Sequence, residues 1–471
     1  MIEFILNNKT IKTSLNSGMT LSDFIRYEQR LTGTKIGCRE GDCGACTVLI
    51  GTLKEDKTIS YQSITSCISP LGNAHGKHVV TIEGMNLQNR LNSSQLAMKS
   101  NYATQCGFCT PGFIVSLTGF ALSKNEKTNE NALNAISGNI CRCTGYKSIE
   151  KAASEVCSNL NLHKDSISLE WLIDNYFIPK YFKDIPGKLN QLTTDTLQQN
   201  GTLYISGGTD LYVQQADNLI ENDVHLIAEN NLFKGVTIDK NECILGSNAT
   251  VTDLWNNSEL NTQFPNLRKY LKLVSSEQIR NMASFGGNIV NASPIGDMTI
   301  FLLALNSNIT ISNSNDDQRS LLLNDFYQGY KTYDLKDDEL ISSINFKIQR
   351  EHSYFNFEKV SKRTHLDISS VNSAISLTVE KQTISEAHVS IGGVAAIPKY
   401  LHQTSEFLKG KNLNTQLIID ANEILQTEIS PISDVRGSSN YKRLLARQLF
   451  YAHFTELFPE LFTLNDFVQY A

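Results

Sequence analysis

The order of apolar and polar positions predicts a small β-rich unit over about residues 1–80. Short apolar runs and alternating positions, bounded by turn residues, predict strands, and a helical repeat predicts one helix among them. The predicted strands are Met1–Asn7, Lys9–Ser14, Cys46–Ile50 and Lys57–Tyr61, and the predicted helix is Leu21–Leu31.

From about residue 88 the periodicity becomes helical. Pro111 stands at the start of the apolar segment Gly112–Leu122, where its fixed φ suits the first turn of a helix. The polar stretch Ser123–Glu130 separates this segment from Ala132–Ser137. We therefore predict a compact helical bundle, followed by a polar connector at residues 161–190.

Composition narrows the class of protein. The chain has 471 residues, which at about 150 residues per domain suggests roughly three domains. Apolar residues make up 41% and charged residues 19%, as in ordinary globular chains, and the net charge of −6 gives no sign of nucleic-acid binding. No apolar run approaches the ~20 residues that span a bilayer.

Eight of the ten cysteines form two groups of four before residue 144. The first group is Cys38, Cys43, Cys46 and Cys67, in the C-x4-C-x2-C…C spacing of plant-type ferredoxins, which hold a 2Fe-2S cluster. Glycines among these positions allow the loop to curl around a cluster and to aim backbone N–H groups at the sulfurs. The first group therefore predicts a 2Fe-2S site in a ferredoxin-like unit.

The second group is Cys106, Cys109, Cys141 and Cys143. By its spacing alone it fits zinc as well as an iron–sulfur cluster. Disulfides are disfavoured in both groups, because Met1 runs directly into a strand pattern without the features of a signal peptide, which indicates a reducing compartment. Two four-thiolate sites in one short stretch predict a path for single electrons. Cys157 and Cys243 lie outside both groups and are expected to be buried.

Two glycine-rich turns lie in the middle of the chain. The first follows the predicted strand Thr202–Ile205 and contains Gly207, Gly208, Thr209 and Asp210. The second spans residues 284–297. Paired glycines let backbone N–H groups approach phosphate oxygens, so a pyrophosphate can lie between two such turns. Neither has the G-x-G-x-x-G pattern, and each taken alone is better explained as an ordinary turn; the two turns together, after two cysteine groups, are stronger evidence for a cofactor.

Five strings then carry a resemblance to a known family: GCREGDCGACTV, QCGFCTPG, CRCTGY, SGGTDL and ASFGGNIVNASPIGD. In this order they resemble the iron–sulfur and flavin portion of xanthine dehydrogenase and its molybdenum hydroxylase relatives. The resemblance covers nearly the whole chain. Because both cysteine groups and the flavin segment share one polypeptide, the chain resembles the small subunit of the bacterial members of that family.

The resemblance implies roles for individual residues. The first cysteine group would bind the cluster nearer the flavin, and the second the cluster nearer molybdenum. Gln105 would hydrogen-bond the molybdopterin held by a partner, and Gly207–Asp210 would form the first FAD pyrophosphate loop. Further FAD contacts would come from Ser284, Gly287, Asn288, Asn291 and Asp297, with Lys359 near the flavin ring. From the sequence alone, Lys359 is equally well explained as a solvated charge at a strand end.

The fold implied by the resemblance is multidomain α+β. It comprises a β-grasp 2Fe-2S ferredoxin domain (1–84), an all-α 2Fe-2S domain (85–160), a linker (161–190), a two-lobed α+β FAD-binding domain (191–350) and a C-terminal α/β domain (351–471). No segment up to Ala471 is expected to enclose a molybdopterin, so we expect substrate oxidation on another polypeptide.

The implied function is that of a cytoplasmic electron-transfer subunit of xanthine dehydrogenase. Electrons from hypoxanthine or xanthine would pass from molybdenum in a large subunit, through both clusters, to FAD and then to NAD, in an α2β2 assembly without a membrane or nucleic-acid partner. Val274 and Leu366 depart from the residues that some relatives place beside the flavin, which leaves oxygen, quinone or a protein open as the acceptor. Two alternatives also stay open: a subunit of a hydroxylase acting on aldehydes or other N-heterocycles, and a non-enzymatic zinc or redox-sensing protein.

Overall fold

A computed structural model describes residues 1–192, 197, 201–348, 351–363 and 366–467. The chain divides into two compact units. The first comprises Met1–Glu229 and Ser276–Ala283, and the second comprises Asn230–Ser275 and Ser284–Ala471. Within the described ranges, no helix combines the length and the apolar character that crossing a membrane requires.

A five-stranded mixed sheet forms the start of the first unit. In spatial order its strands are Lys9–Thr13, Ile2–Leu6, His78–Val80, Thr47–Leu53 and Ile59–Thr65. Ile2–Leu6 pairs in parallel with His78–Val80, and the other pairs are antiparallel. A helix over residues 21–28 packs on this sheet, with the rings of Phe4 and Phe24 5.7 Å apart. The predicted β-grasp ferredoxin domain is confirmed, although the helix ends three residues before the predicted Leu31.

The helical 2Fe-2S domain is also confirmed. Its helices are Ser93–Ser100, Thr110–Leu122, Asn129–Ala135 and Lys147–Asn161. Thr110–Leu122 is apolar on nearly all sides because it is enclosed by the other helices and by the sheet. At Gly119 an added Cβ would lie 2.9 Å from Leu49 of the sheet, so a side chain there would push the helix away.

Residues 161–190, expected to be a linker, instead form short packed helices. They are Leu169–Asp174, Lys180–Asp184 and Ile185–Leu189. Leu172, Phe177, Ile178 and Phe182 are buried and belong to the core of the helical domain. The mean polarity of the segment conceals these apolar residues, which are spaced so that each short helix buries one side.

The rest of the first unit is a small lobe. Two parallel strands, Leu203–Ile205 and Val224–Leu226, are joined by the helix Leu211–Glu221. The distant segment Ser276–Ala283 belongs to the same unit and contains the short helix Glu277–Arg280.

Two antiparallel sheets organise the second unit. The first contains, in spatial order, Gln318–Leu322, Asn308–Asn313, Glu339–Lys347, Glu242–Gly246 and Val236–Asp239. Its associated helices are Val251–Asn256, Ser258–Gln263, Leu267–Lys272, Phe285–Val290, Asp297–Ala304 and Leu323–Phe326, and a hairpin joins Tyr327–Gly329 to Thr332–Tyr333.

The second of these sheets forms the C-terminal domain. Its strands are Ser353–Val360, Val371–Glu380, Thr383–Gly392 and Lys399–Tyr400, paired in that order. The helices His402–Leu408, Thr415–Glu428 and Ser439–Leu457 share its core. The predicted combination of a flavin-type domain and a separate C-terminal domain is therefore confirmed.

Candidate functional site

The first cysteine group forms a curled loop beside the ferredoxin sheet. Cys38, Cys43 and Cys46 lie on the loop before the strand Thr47–Leu53, and Cys67 lies in the short helix Ser66–Ile68. The curl requires left-handed backbone at Gly41 (φ 76°) and Gly44 (φ 64°), which glycine adopts without steric cost. The structure thus brings together four cysteines that are up to 29 positions apart, by difference of residue numbers 67 and 38.

Hydrogen bonds in this loop favour negative charge on sulfur. The backbone N–H groups of Glu40 and Cys43 point at Cys38 Sγ, at N–S distances of 3.3 and 3.4 Å. Hydrogen bonds from the Cys43 and Cys67 thiols hold the pKa of Cys38 far below its usual range. A hydrogen bond from Cys67 likewise lowers the pKa of Cys46. Such a loop is prepared to present thiolates to a metal centre.

The second cysteine group lies at the exposed end of the helical domain. Cys109 precedes the first residue of Thr110–Leu122, so the positive end of that helix faces the group. Cys143 Sγ lies 3.6 Å from Cys106 Sγ, and Cys109 hydrogen-bonds Cys141. Burial raises the pKa of Cys109 to about 12. Cys106 and Cys143 are exposed, whereas Cys141 is buried.

Two residues beyond the cysteines support this second group. Thr144 donates from its hydroxyl to Cys141 Sγ at 3.2 Å and from its backbone N–H at 3.5 Å. Burial raises the pKa of Cys141, but these hydrogen bonds outweigh it and lower the pKa overall. Tyr146, in left-handed backbone with φ 69°, accepts the Cys141 N–H at its hydroxyl oxygen.

Both groups fit a binuclear cluster. Among the described residues, no set of three or more His, Cys, Asp or Glu side chains converges as it would around one metal ion. In the first group the thiols contact one another in a row, Cys43 with Cys38, Cys38 with Cys67 and Cys67 with Cys46, and in the second group Cys106 contacts Cys143 and Cys109 contacts Cys141. Four cysteine thiolates are the ligand set of a 2Fe-2S cluster, and each group supplies four.

Aromatic surface and Gln105 surround the second group. Gln105 is exposed next to Cys106. Tyr102 is 85% and Phe108 47% exposed, which is unusual for residues of that size. The molybdopterin contact of Gln105 stays a prediction.

The first glycine turn is part of the first unit. An added Cβ at Gly207 would lie 1.9 Å from the carbonyl oxygen of Met282, and Gly208 has φ 81°. The helix Leu211–Glu221 starts directly after Asp210, and the backbone N–H groups of Tyr212 and Val213 in its first turn donate to the carbonyl oxygens of Gly208 and Asp210, at 3.1 and 3.2 Å. Packing alone therefore accounts for both glycines, and the FAD contact of Gly207–Asp210 stays a prediction.

The second glycine turn is part of the second unit and holds two different glycines. Gly286 is enclosed, since an added Cβ would lie 2.8 Å from Cβ of Ser247. Gly287 is exposed, and there an added Cβ would meet only Oγ of Ser284, which caps the helix by accepting the Gly287 N–H at 3.2 Å. Neither glycine has a positive φ. The space in front of Gly287 is open, and its contact with an FAD phosphate stays a prediction.

Asn288 and Asn291 are engaged within the protein. Asn288 Oδ1 accepts from the backbone N–H and the hydroxyl of Thr299, at 3.1 and 2.9 Å, and so fixes the start of the next helix. Asn291 accepts from Lys331 Nζ at its side-chain oxygen, 2.8 Å away, and at its carbonyl oxygen. Both residues shape the loop, and their direct contact with FAD stays a prediction.

Asp297 and Lys359 form a buried ion pair. Lys359 Nζ lies 2.7 Å from Asp297 Oδ2 and donates to the carbonyl oxygen of Leu273 at 2.9 Å. The side chain of Lys359 is 2% exposed, so the interpretation as a solvated strand-end charge is wrong. Asp297 also accepts from Ser369 and Asn372, at 2.7 and 2.6 Å. The pair fastens the glycine-rich loop to the C-terminal sheet.

The sequence did not predict the contacts of several of these residues. Lys331, Ser369 and Asn372 carry no motif, and each meets its partner across at least 40 positions of the chain. Thr144 and Tyr146, in contrast, lie within the string CRCTGY. Their position three and five residues after Cys141 could have indicated that they support this cysteine. Val274 and Leu366 are both buried. Thr364 and His365, directly before Leu366, lie outside the described residues.

Family models match four consecutive parts of the chain. A 2Fe-2S iron-sulfur cluster binding domain matches residues 4–72 and a [2Fe-2S] binding domain matches residues 81–154. The FAD binding domain in molybdopterin dehydrogenase matches residues 176–346, and the CO dehydrogenase flavoprotein C-terminal domain matches residues 356–457.

Curated relatives include xanthine dehydrogenases and aldehyde oxidases. Xanthine dehydrogenase 1 of Arabidopsis thaliana is 28% identical over 523 aligned positions, covering 93% of this chain and 38% of the relative. Aldehyde oxidase 2 of Rattus norvegicus is 27% identical, covering 98% of this chain and 39% of the relative. The chain thus spans less than half the length of these relatives.

A solved structure of carbon monoxide dehydrogenase from Hydrogenophaga pseudoflava shares the fold. One of its chains superposes with a TM-score of 0.52 at 19% identity, covering 55% of this chain and 90% of that one.

Proposed function

Because the chain carries the 2Fe-2S and FAD electron-transfer module of the molybdenum hydroxylases, we propose that it serves a xanthine dehydrogenase. In this proposal it relays electrons, released when a partner oxidises hypoxanthine or xanthine at molybdenum, to NAD. The observation that carries the proposal is the pair of four-thiol groups in one compact unit. FAD, when bound, supplies the exchange between single electrons and a hydride.

In this proposal the chain's own residues bind the cofactors and tune the reduction potentials of the clusters. The eight cysteines hold metal, and the N–H groups aimed at Cys38 together with Thr144 at Cys141 stabilise charge on sulfur. The open space at Gly287 admits a phosphate, while Ser284 keeps the turn in shape. No described residue is assigned as a general acid or base. We propose a reducing compartment such as the cytoplasm, where cysteines stay reduced and can bind metal.

We propose a molybdopterin-bearing large subunit as the partner, in an α2β2 assembly. Exposed Tyr102, Phe108 and Gln105 beside the exposed thiols of Cys106 and Cys143 support a docking face there. Tyr102 and Phe108 supply exposed aromatic area, which is enriched in protein interfaces.

Cofactor content tests the proposal first. Purified chain matured with iron should contain about four iron atoms and one FAD, because each 2Fe-2S cluster uses four thiolates. Cys43→Ser should remove one of two EPR signals of the reduced protein. Cys157→Ser is the matched control, since that buried thiol lies outside both cysteine groups and donates to the carbonyl oxygen of Lys127, and both signals should remain. Stoichiometric zinc without labile sulfide would refute the proposal.

Acceptor and substrate need separate assays. The chain alone should pass electrons from NADH to a dye, and xanthine oxidation should appear only after the large subunit is added. In the complex, Cys143→Ser should abolish xanthine-to-NAD turnover and spare NADH-to-dye activity. Turnover of aldehydes without turnover of xanthine would favour the second candidate, an aldehyde-oxidising enzyme, which the match to aldehyde oxidase 2 over 98% of this chain supports.

A further inference from the structure

A buried polar network joins two loops of the first unit. The first loop carries Cys38, Cys43 and Cys46, and the second carries Cys141 and Cys143. Its members are Asn139, Ser116, Thr47 and Gln278, which are 4%, 1%, 2% and 0% exposed. Asn139 is two positions before Cys141, and Thr47 directly follows Cys46. Polar groups buried this deeply are costly unless they are hydrogen-bonded, so their partners indicate what the network holds.

Asn139 holds the first loop with its amide nitrogen. Its Nδ2 donates to the carbonyl oxygen of Gly44 at 2.9 Å and to Oγ1 of Thr47 at 3.3 Å. Next to it, the backbone N–H of Ile140 donates to the carbonyl oxygen of Cys43 at 3.0 Å. Two adjacent residues of the second loop thus bond two adjacent residues of the first.

The amide oxygen of Asn139 is held from the other side. It accepts from Ser116 Oγ at 2.8 Å and from Gln278 Nε2 at 3.3 Å. Gln278 Nε2 also donates to Ser116 and to the carbonyl oxygen of Ala135, at 3.0 and 3.1 Å. The orientation of the Asn139 amide is therefore determined by donors and acceptors on both ends.

Glycines bring these backbones unusually close. An added Cβ at Gly44 would lie 2.3 Å from the carbonyl oxygen of Gly138, and one at Gly112 would lie 2.4 Å from the carbonyl oxygen of Gly44. An added Cβ at Gly138 would lie 2.0 Å from Gln278 Oε1. That oxygen is buried without a hydrogen-bond partner among the described residues.

From this arrangement we propose that Asn139 is a positioning residue that fixes the separation and orientation of the two metal-binding loops, with Ser116 and Gln278 as its supports. The inference rests on the proposed function, because it assumes that both loops hold clusters. An apolar side chain of the same size would fill the space but would remove one of the two hydrogen bonds between the loops, so that the Ile140–Cys43 bond alone joins them, and it would take the shared acceptor away from Ser116 and Gln278.

The test is the magnetic interaction between the two reduced clusters in the full chain, measured by EPR line broadening and spin relaxation. Asn139→Leu should keep about four iron atoms per chain and both signals, while the interaction between the signals weakens. Ser116→Ala, a smaller change in the same network, should weaken it in the same direction.

Asn92→Leu is the matched control. Asn92 is also a fully buried asparagine of the first unit, but it accepts from the Gln95 N–H and donates to the carbonyl oxygen of Met85, not to either cysteine loop. It should lower stability and leave the interaction unchanged. Wild-type interaction in both Asn139→Leu and Ser116→Ala, or an equal change in Asn92→Leu, would overturn the inference. Absence of clusters from the wild-type chain would instead overturn the proposed function.

Discussion

The buried ion pair between Lys359 and Asp297 gives the sharpest stability prediction. Removing one partner of a buried pair costs about 3–5 kcal/mol, because a charge is left without compensation. In Lys359→Met, Asp297 keeps its hydrogen bonds from Ser369 and Asn372, and its side chain is 14% exposed. The loss of unfolding free energy should therefore lie at the low end, about 3 kcal/mol.

Chemical and thermal unfolding of the cofactor-free protein measure this loss. At about 2–4 °C per kcal/mol for a unit of this size, the melting temperature of the second unit should fall by about 6–12 °C. Lys269→Met is the matched control: Lys269 and Glu456 form an exposed pair, with side chains 59% and 52% exposed, and such pairs contribute about 0–1 kcal/mol. Equal effects of the two substitutions would refute the reasoning.

A double-mutant cycle separates the ion pair from a flavin contact. Asp297→Asn and Lys359→Met should be strongly non-additive in stability, since both remove the same interaction. If Lys359→Met lowers FAD affinity while the unfolding free energy stays at the wild-type value, Lys359 acts on the flavin and not on the loop.

Three further predictions address the flavin, one cluster and pH. Gly287→Val should lower FAD content and keep both clusters, because the new side chain fills the open space; full FAD occupancy would show that the turn is structural only. Thr144→Val should lower the midpoint potential of one cluster in an EPR redox titration, since it removes the hydroxyl donor to Cys141, whereas Thr144→Ser should not. Burial lowers the pKa of His453 to about 3, so the folded state stays neutral while the unfolded state takes up a proton below about pH 6.5. Between pH 6.5 and 5 the wild type should lose about 2 kcal/mol more than His453→Gln in urea unfolding, and parallel pH profiles would contradict this.

The sequence predicted the parts of the site that are formed by residues close together in the chain. The cysteine spacing placed Cys38, Cys43 and Cys46 on one loop because three ligands within nine residues leave the backbone few other paths. The paired glycines likewise predicted a turn at Gly286 and Gly287. A glycine is needed at position 286 because the backbone packs against Ser247, and not because φ is positive.

Contacts between residues far apart in the chain could not be predicted from local sequence patterns. Lys359 meets Asp297 across 62 positions and Leu273 across 86, and nothing near Lys359 in the sequence distinguishes a buried lysine from a solvated one. The connector at 161–190 was misjudged for a similar reason, since its apolar residues acquire their role only from the helical domain against which they pack.

The membership of Ser276–Ala283 in the first unit bears on how the protein can be divided. Asn281 donates to the carbonyl oxygen of Ser63, and Gln278 fills the space beside Ser116 and Asn139. A fragment that stops at Glu229 would therefore expose the surface that Ser276–Ala283 covers, and Asn139 and Ser116 would lose their hydrogen bonds from Gln278. The two units are not separable by a single cut, and a fragment of the first would need the peptide 276–283 supplied in trans to complete its interior.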